Sequence, residues 1–204
     1  MSNDRISNAH RAYVGLMLLW SFLIANLACG GTTSSHDPTI WEKDIRAFEA
    51  SDHKHMPSPG GVLFVGSSSI RFWDLKHAFP HRNVINRGFG GSWSCDSLYY
   101  TDRIVIPYKP RTIIFYAGDN DIAGGGAPEE VANSFRQFVK KVHASLPDTR
   151  IVFISIKPSI ARWAIWDRMR TANTMVRQFA DHTPRVEYVD ISKDLIGANG
   201  HPRK

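Results

Sequence analysis

From residue 62 onward, short apolar runs alternate with stretches whose apolar residues recur every three or four positions. Val62 to Val65, Asn83 to Asn86, Thr112 to Ala117, Ile151 to Ile156 and Val186 to Asp190 are the short runs. Their length and β-branched content predict five buried strands rather than helices. The first four are each followed by a loop-like stretch rich in small or polar residues: Gly66-Ser67-Ser68-Ser69, Arg87-Gly88-Phe89-Gly90-Gly91, Gly118-Asp119-Asn120-Asp121 and Lys157-Pro158-Ser159.

Between the strands the period lengthens. Ser94 to Ile106 is predicted helical. Ala127-Pro128-Glu129-Glu130 opens a second helix, with acids in its first turn and Val131, Phe135, Phe138, Val139 and Val142 on one face. Trp163, Ile165, Met169, Met175, Val176 and Phe179 mark a third. Strand–helix alternation of this kind predicts an α/β fold with about five parallel strands and helices on both faces. Ahead of it, Ile40, Trp41, Ile45 and Phe48 predict an amphipathic helix from about Pro38, and the breaker cluster Met56 to Gly61 separates it from the domain. Ile191 to Lys204 has a turn-like Asn199-Gly200 and no helical periodicity. The helix that should cover the fifth strand is missing, so the domain reads as C-terminally incomplete.

The first 29 residues form a separate unit. Arg5 and Arg11 precede an apolar stretch from Ala12 to Cys29, followed by Gly30, Gly31 and a polar tether. This has the layout of a secretory signal. Lipidation at Cys29, as in a bacterial lipoprotein, is the leading expectation. An ordinary cleaved signal and a retained membrane anchor stay open. Each places the domain outside the cytoplasm, on the exported side of a bacterial envelope and, in the leading case, tethered by its N-terminus. The chain thus divides into 1–29 (signal or anchor), 30–60 (tether and helix) and 61–204 (the α/β domain). A formal charge of +6 is scattered among acids without basic runs, which argues against nucleic acid as a partner. Cys29 and Cys95 are the two cysteines, and Cys95 reads as a buried thiol. No CxxC or HExxH spacing points to a metal, and no cofactor is expected. Arg87 to Gly91 runs G-x-G-G rather than G-x-G-x-x-G, so a phosphate loop is a weak reading.

The loops at the carboxyl ends of the first three strands supply the parts of an acyl-transfer site. A serine stands where a strand turns into a predicted helix, a candidate nucleophile near helix N–H groups, although capping and turn roles for these serines remain open. The Gly91 N–H and the Asn120 side-chain amide are uncharged donors suited to an oxyanion. These blocks resemble those of the SGNH hydrolases, the GDSL-like lipase and acylhydrolase superfamily. Gly66-Ser67-Ser68 corresponds to the first block with Ser67 in place of the acid, Asn86 to Gly91 (NRGFGG) to the second, and Gly118-Asp119-Asn120-Asp121 to the third. The resemblance implies a flavodoxin-like three-layer α/β/α fold and an ester hydrolase. In it Ser68 is the nucleophile, Gly91 and Asn120 line the oxyanion hole, and Ser67 and Ser69 are capping neighbours. It also implies an Asp-x-x-His block near the C-terminus, which the sequence lacks. His201 reads as a surface loop residue, and Asp181-His182 as a helix terminus.

Arg162 and Trp163 are candidate substrate-pocket residues, with helix packing and surface charge as the alternative. Gly124 to Gly126 reads as a flexible loop, either moving over the site or merely connecting elements. The expected activity is hydrolysis of a small acyl or acetyl ester of a lipid or sugar, the chain as written lacking the His/Asp block on which that activity depends. The alternative is a non-catalytic cell-envelope or carbohydrate-binding module on the same fold.

Overall fold

Each predicted apolar run becomes a strand because it fills a sheet covered on both faces. The computed structural model describes residues 36–203. In chain order it contains α1 (Glu42–Lys54), β1 (Val62–Gly66), α2 (Ser68–Arg71), α3 (Leu75–Ala78), β2 (Val84–Gly88), α4 (Ser94–Tyr99), α5 (Thr101–Ile104), β3 (Thr112–Tyr116), α6 (Asp119–Ala123), α7 (Pro128–Ser145), β4 (Arg150–Ile154), α8 (Trp166–Asp181) and β5 (Val186–Val189). Short 3-10 turns flank several of these. The signal segment and Cys29 lie outside the described residues.

The five strands form one parallel sheet in the order β2-β1-β3-β4-β5. This is the flavodoxin-like order, in which the chain reverses its direction of travel across the sheet next to β1. The register sets the carboxyl ends level, with Gly66 opposite both Gly88 and Tyr116. Alternate side chains leave the sheet on opposite sides. On one side Leu63, Val65, Ile113, Phe115, Ile151 and Phe153 are buried in the main core. There Phe115, Phe135, Phe138 and Phe153 pack with ring centroids 4.8 to 6.5 Å apart. The predicted apolar face of α7 is buried to the last residue, and Glu130 caps its start by accepting the Ala127 N–H at 2.9 Å.

The opposite face is smaller. Phe64, Ile70, Leu75 and Tyr116 form its core, roofed by the single-turn helices α2 and α3 and by Trp73 and Phe79.

Several boundaries differ from the sequence expectation. The second strand runs on through Gly88, because Arg87 is not a turn residue. Its guanidinium is buried, reaching Asp52 of α1 at 2.5 Å and the Tyr108 hydroxyl at 2.7 Å. The helix expected over Ser94 to Ile106 breaks at Tyr100 into α4 and α5. Ile40, expected on the buried face of the first helix, is 60% exposed, whereas Ile45 is fully buried. The third block is the start of α6 rather than an open loop. Cys95 is disulfide-bonded, not a buried thiol. Among the described residues no helix is long and apolar enough to cross a membrane.

Candidate active site

The end of β1 requires a glycine. Gly66 has φ +136°, and a Cβ there would lie 1.9 Å from the Tyr116 carbonyl oxygen. That crowding lets β3 lie close enough for the Ser67 N–H to donate to Tyr116 O at 2.9 Å, while the Phe89 N–H donates to Gly66 O at 3.0 Å. The loops after β1, β2 and β3 are therefore tied together at the switch point, where open α/β sheets bind ligands.

The three serines do not share the capping role expected of them. Ser67 is the N-cap of α2 by backbone conformation, but its side chain makes no capping bond and its Oγ is buried without a partner. Ser69 accepts a hydrogen bond from Lys157 Nζ at 2.5 Å. Ser68 is half-buried, and its Oγ has no hydrogen-bond partner among the described residues. Because the helix predicted there, α2, is one turn long, little helix dipole stands behind Ser68.

Asn120 is held by both ends of its amide. Nδ2 donates to Ser92 O at 3.1 Å, and Oδ1 accepts from Arg162 Nη2 at 2.7 Å. A carbonyl demands a donor and a guanidinium demands an acceptor, so the amide has one allowed orientation and keeps one free Nδ2 hydrogen. Arg162 also pairs with Asp119, Nη1 to Oδ2 2.8 Å. Gly91 is exposed, and a Cβ placed on it would meet no protein atom within 4 Å. The crowded glycine is its neighbour Gly90, where a Cβ would come within 2.3 Å of the Trp41 ring.

Behind this loop stand two buried carboxylates, Asp96 and Asp121, to which the sequence assigned no role of their own. Asp96 accepts from Trp93 N–H at 2.7 Å, from Trp41 Nε1 at 2.9 Å and from His36 Nε2 at 2.9 Å. Burial pushes its pKa up, and these donors oppose that shift. Asp121 accepts the Ser94 N–H at 2.9 Å, and burial raises its pKa to about 7. The two acids thus fix the turn that carries Gly91 and Ser92. Their sequence signal was weak, since an Asp near a helix start reads as surface. His36, Cys95 and Asp96 lie within 4.8 Å of one another, a set with metal-ligand composition. A disulfide sulfur is a poor substitute for a thiolate ligand, and the Asp96 oxygens are already committed, so the group serves structure.

The remaining candidates separate. Trp163 lines a cavity of about 550 Å³ with Ile160, Asn199, His201, Pro202 and Arg203, and its ring centroid is 5.4 Å from that of His201. His201 is exposed, Asp181 ends α8, and His182 is that helix's C-cap. Gly124 packs under Trp93, and Arg168 Nη2 donates to the Gly125 and Gly126 carbonyls at 3.3 and 2.9 Å, so the expected free connector is anchored.

A sequence profile of the GDSL-like Lipase/Acylhydrolase family matches residues 66–204. No curated protein sequence matches the chain. Solved structures share the fold. A Streptococcus pneumonia protein provisionally described as a platelet activating factor is 23% identical with TM-score 0.71, each chain being covered to 80%. A Bacteroides fragilis protein provisionally described as an acylhydrolase is 22% identical with TM-score 0.62, over 76% of this chain and 86% of that one. A GDSL-like lipase from Bacteroides thetaiotaomicron is 17% identical with TM-score 0.64, over 78% and 89%.

Proposed function

Because this chain belongs to the GDSL-like lipase/acylhydrolase family and is thereby a hydrolase of the ester-cleaving type, we propose that it works through an acyl-enzyme on Ser68. The Ser68 Oγ attacks the ester carbonyl carbon, a base accepts its proton, and the bond to the alcohol oxygen breaks. Water then releases the acid. The Asn120 Nδ2 hydrogen left over from Ser92, the Gly91 N–H and the Ser68 N–H, which has no intrahelical partner at the first helical position, are the donors for the oxyanion.

The observation that carries this reading is the locked Asn120 amide. An N–H held in a fixed direction on the loop after β3, at the same end of the sheet as the Ser68 loop after β1, is suited to meet a developing negative charge. No imidazole among the described residues bonds to Ser68: His36 is engaged by Asp96 and His201 lies against Trp163. That favours, as a second reading, a protein that binds the acyl group without cleaving it. Short-chain nitrophenyl ester hydrolysis separates the two. Under the first reading Ser68→Ala lowers the rate by roughly three orders of magnitude or more. Turnover that survives Ser68→Ala refutes the acyl-enzyme.

The substrate class proposed is a small acyl or acetyl ester of a lipid or sugar, with the Trp163 cavity receiving part of it. Export is proposed with it, from the Ala12 to Cys29 run and from a disulfide at Cys95, which suits an oxidising compartment. Lipid on Cys29 requires that sulfur to be free, so the mass of the purified protein without reductant tests whether it is lipidated or bridged.

A further inference from the structure

A one-turn helix cannot hold its own position. Nucleation of a first turn is unfavourable, and α2 has four residues. Whatever places Ser68 must therefore come from outside α2. On the β2 side, Asn86 Nδ2 donates to Ile70 O at 2.7 Å, and Gly88 lies flat against Ile70 and the Arg71 nitrogen. On the β3 side, the Ser67 N–H reaches Tyr116 O. On the β4 side, the contact is Lys157, whose Nζ donates to Ser69 Oγ at 2.5 Å and to the Tyr116 hydroxyl at 3.4 Å, and stands 4.9 Å from the Tyr116 ring centroid.

We propose that Lys157 is a positioning residue of the acyl-transfer site, fixing the Ser69 hydroxyl and, through it, the turn on which Ser68 stands. The inference rests on Ser68 being the nucleophile. Lys157 follows β4 and is half-buried, and its ammonium lies over the Tyr116 ring, a member of the small core. An ammonium in this place holds a hydroxyl more firmly than a neutral amine does, because the bond is charge-assisted. The groups that face it are Tyr116 and Ser69, which are neutral, Asp119 on α6, which favours the cation, and Arg162 ahead of α8, which opposes it. Burial outweighs Asp119 and lowers the Lys157 pKa below the ordinary lysine value. The clamp therefore weakens as pH rises, at a pH below that of a solvated lysine.

The test measures Ser68 itself. The full chain is treated with a fluorophosphonate, the modified peptide is mapped by mass spectrometry, and the labelling rate is followed against pH. The variants are Lys157→Met, Lys157→Arg, Ser69→Ala and the double variant Lys157→Met with Ser69→Ala. Lys157→Met and Ser69→Ala should each slow Ser68 labelling roughly 10- to 100-fold, the span of a hydrogen bond to a charged group. The double variant should be no slower than the worse single one, since both break the same link. The alkaline fall should move to higher pH in Lys157→Arg and vanish in Lys157→Met. Should Lys157→Met prove poorly folded by its thermal melt, Ser69→Ala, which removes one oxygen, carries the comparison alone. Labelling at the wild-type rate in Lys157→Met or Ser69→Ala, or losses that multiply in the double variant, overturns the inference while leaving Ser68 as nucleophile. Absence of any Ser68 adduct in the wild type refutes the acyl-enzyme reading, and the inference falls with it.

Discussion

Replacing Arg162 by Met asks how much of the proposed oxyanion site depends on a residue outside the three motif blocks. The guanidinium makes a 2.7 Å bond to Asn120 Oδ1 and a 2.8 Å ion pair with Asp119, at 31% side-chain exposure for the arginine and 13% for the aspartate. A hydrogen bond to a charged group contributes about 1.5–3 kcal/mol. Partial exposure reduces that, so about 1–2 kcal/mol is the reasonable cost to stability. The effect on rate is smaller than that of deleting the amide. With Arg162 gone, a flipped Asn120 would set Oδ1 against Ser92 O, two acceptors face to face, so most molecules keep the productive orientation. Arg162→Met should lower kcat roughly tenfold, against roughly 10²–10³-fold for Asn120→Ala, the range for loss of one oxyanion donor. Steady-state hydrolysis of nitrophenyl acetate by both variants provides the comparison, with urea melts for stability. If Arg162→Met loses as much kcat as Asn120→Ala, then Arg162 acts on the reacting group itself. A wild-type rate in Asn120→Ala removes that residue from the oxyanion hole.

Three further outcomes are expected. Gly90→Ala should displace the turn bearing Gly91, since its methyl meets the Trp41 ring at 2.3 Å; a shifted Trp emission together with slower ester cleavage marks this, and unchanged values of both contradict it. Asp121 has a folded pKa raised from 3.8 to about 7, so its contribution favours the folded state most at low pH and is lost as pH rises from about 4 to about 7. Asp121→Asn should flatten that part of the stability–pH curve, and an unaltered slope would show that burial is not the cause. Phe135→Ala, at the centre of the buried aromatic cluster, should cost about 3–5 kcal/mol by denaturant melt, and a loss under 1 kcal/mol would mean the core collapses into the gap.

What the sequence shows and what it hides divide along a physical line. The five strands and α7 are legible because burial imposes a period, and a run such as Ile113–Phe115 has no other use for its side chains. The Gly118 to Asp121 block stands out because it follows the end of β3. Lys157 bonds to Ser69 from the β4 side, and Arg162, named from the sequence only as a pocket candidate, bonds to Asn120 and pairs with Asp119; the adjacency of β4 to β3 is a property of strand order that linear spacing does not record. Arg87 misleads for a related reason: a charge beside two glycines reads as a turn, until Asp52 and Tyr108 arrive from elsewhere to satisfy it. Asp96 is hidden likewise, its donors lying 55 and 60 residues upstream.

Those upstream donors bear on where the working unit begins. The family profile starts at residue 66, yet Trp41 floors the Gly90 turn and shares Asp96 with His36, whose ring stacks on Trp93 at 4.2 Å. A protein trimmed to the profile's borders would strand a carboxylate in apolar surroundings with one donor where it had three. The segment from His36 to Trp41 is thus a strut of the turn that carries Gly91, and its loss would be felt there.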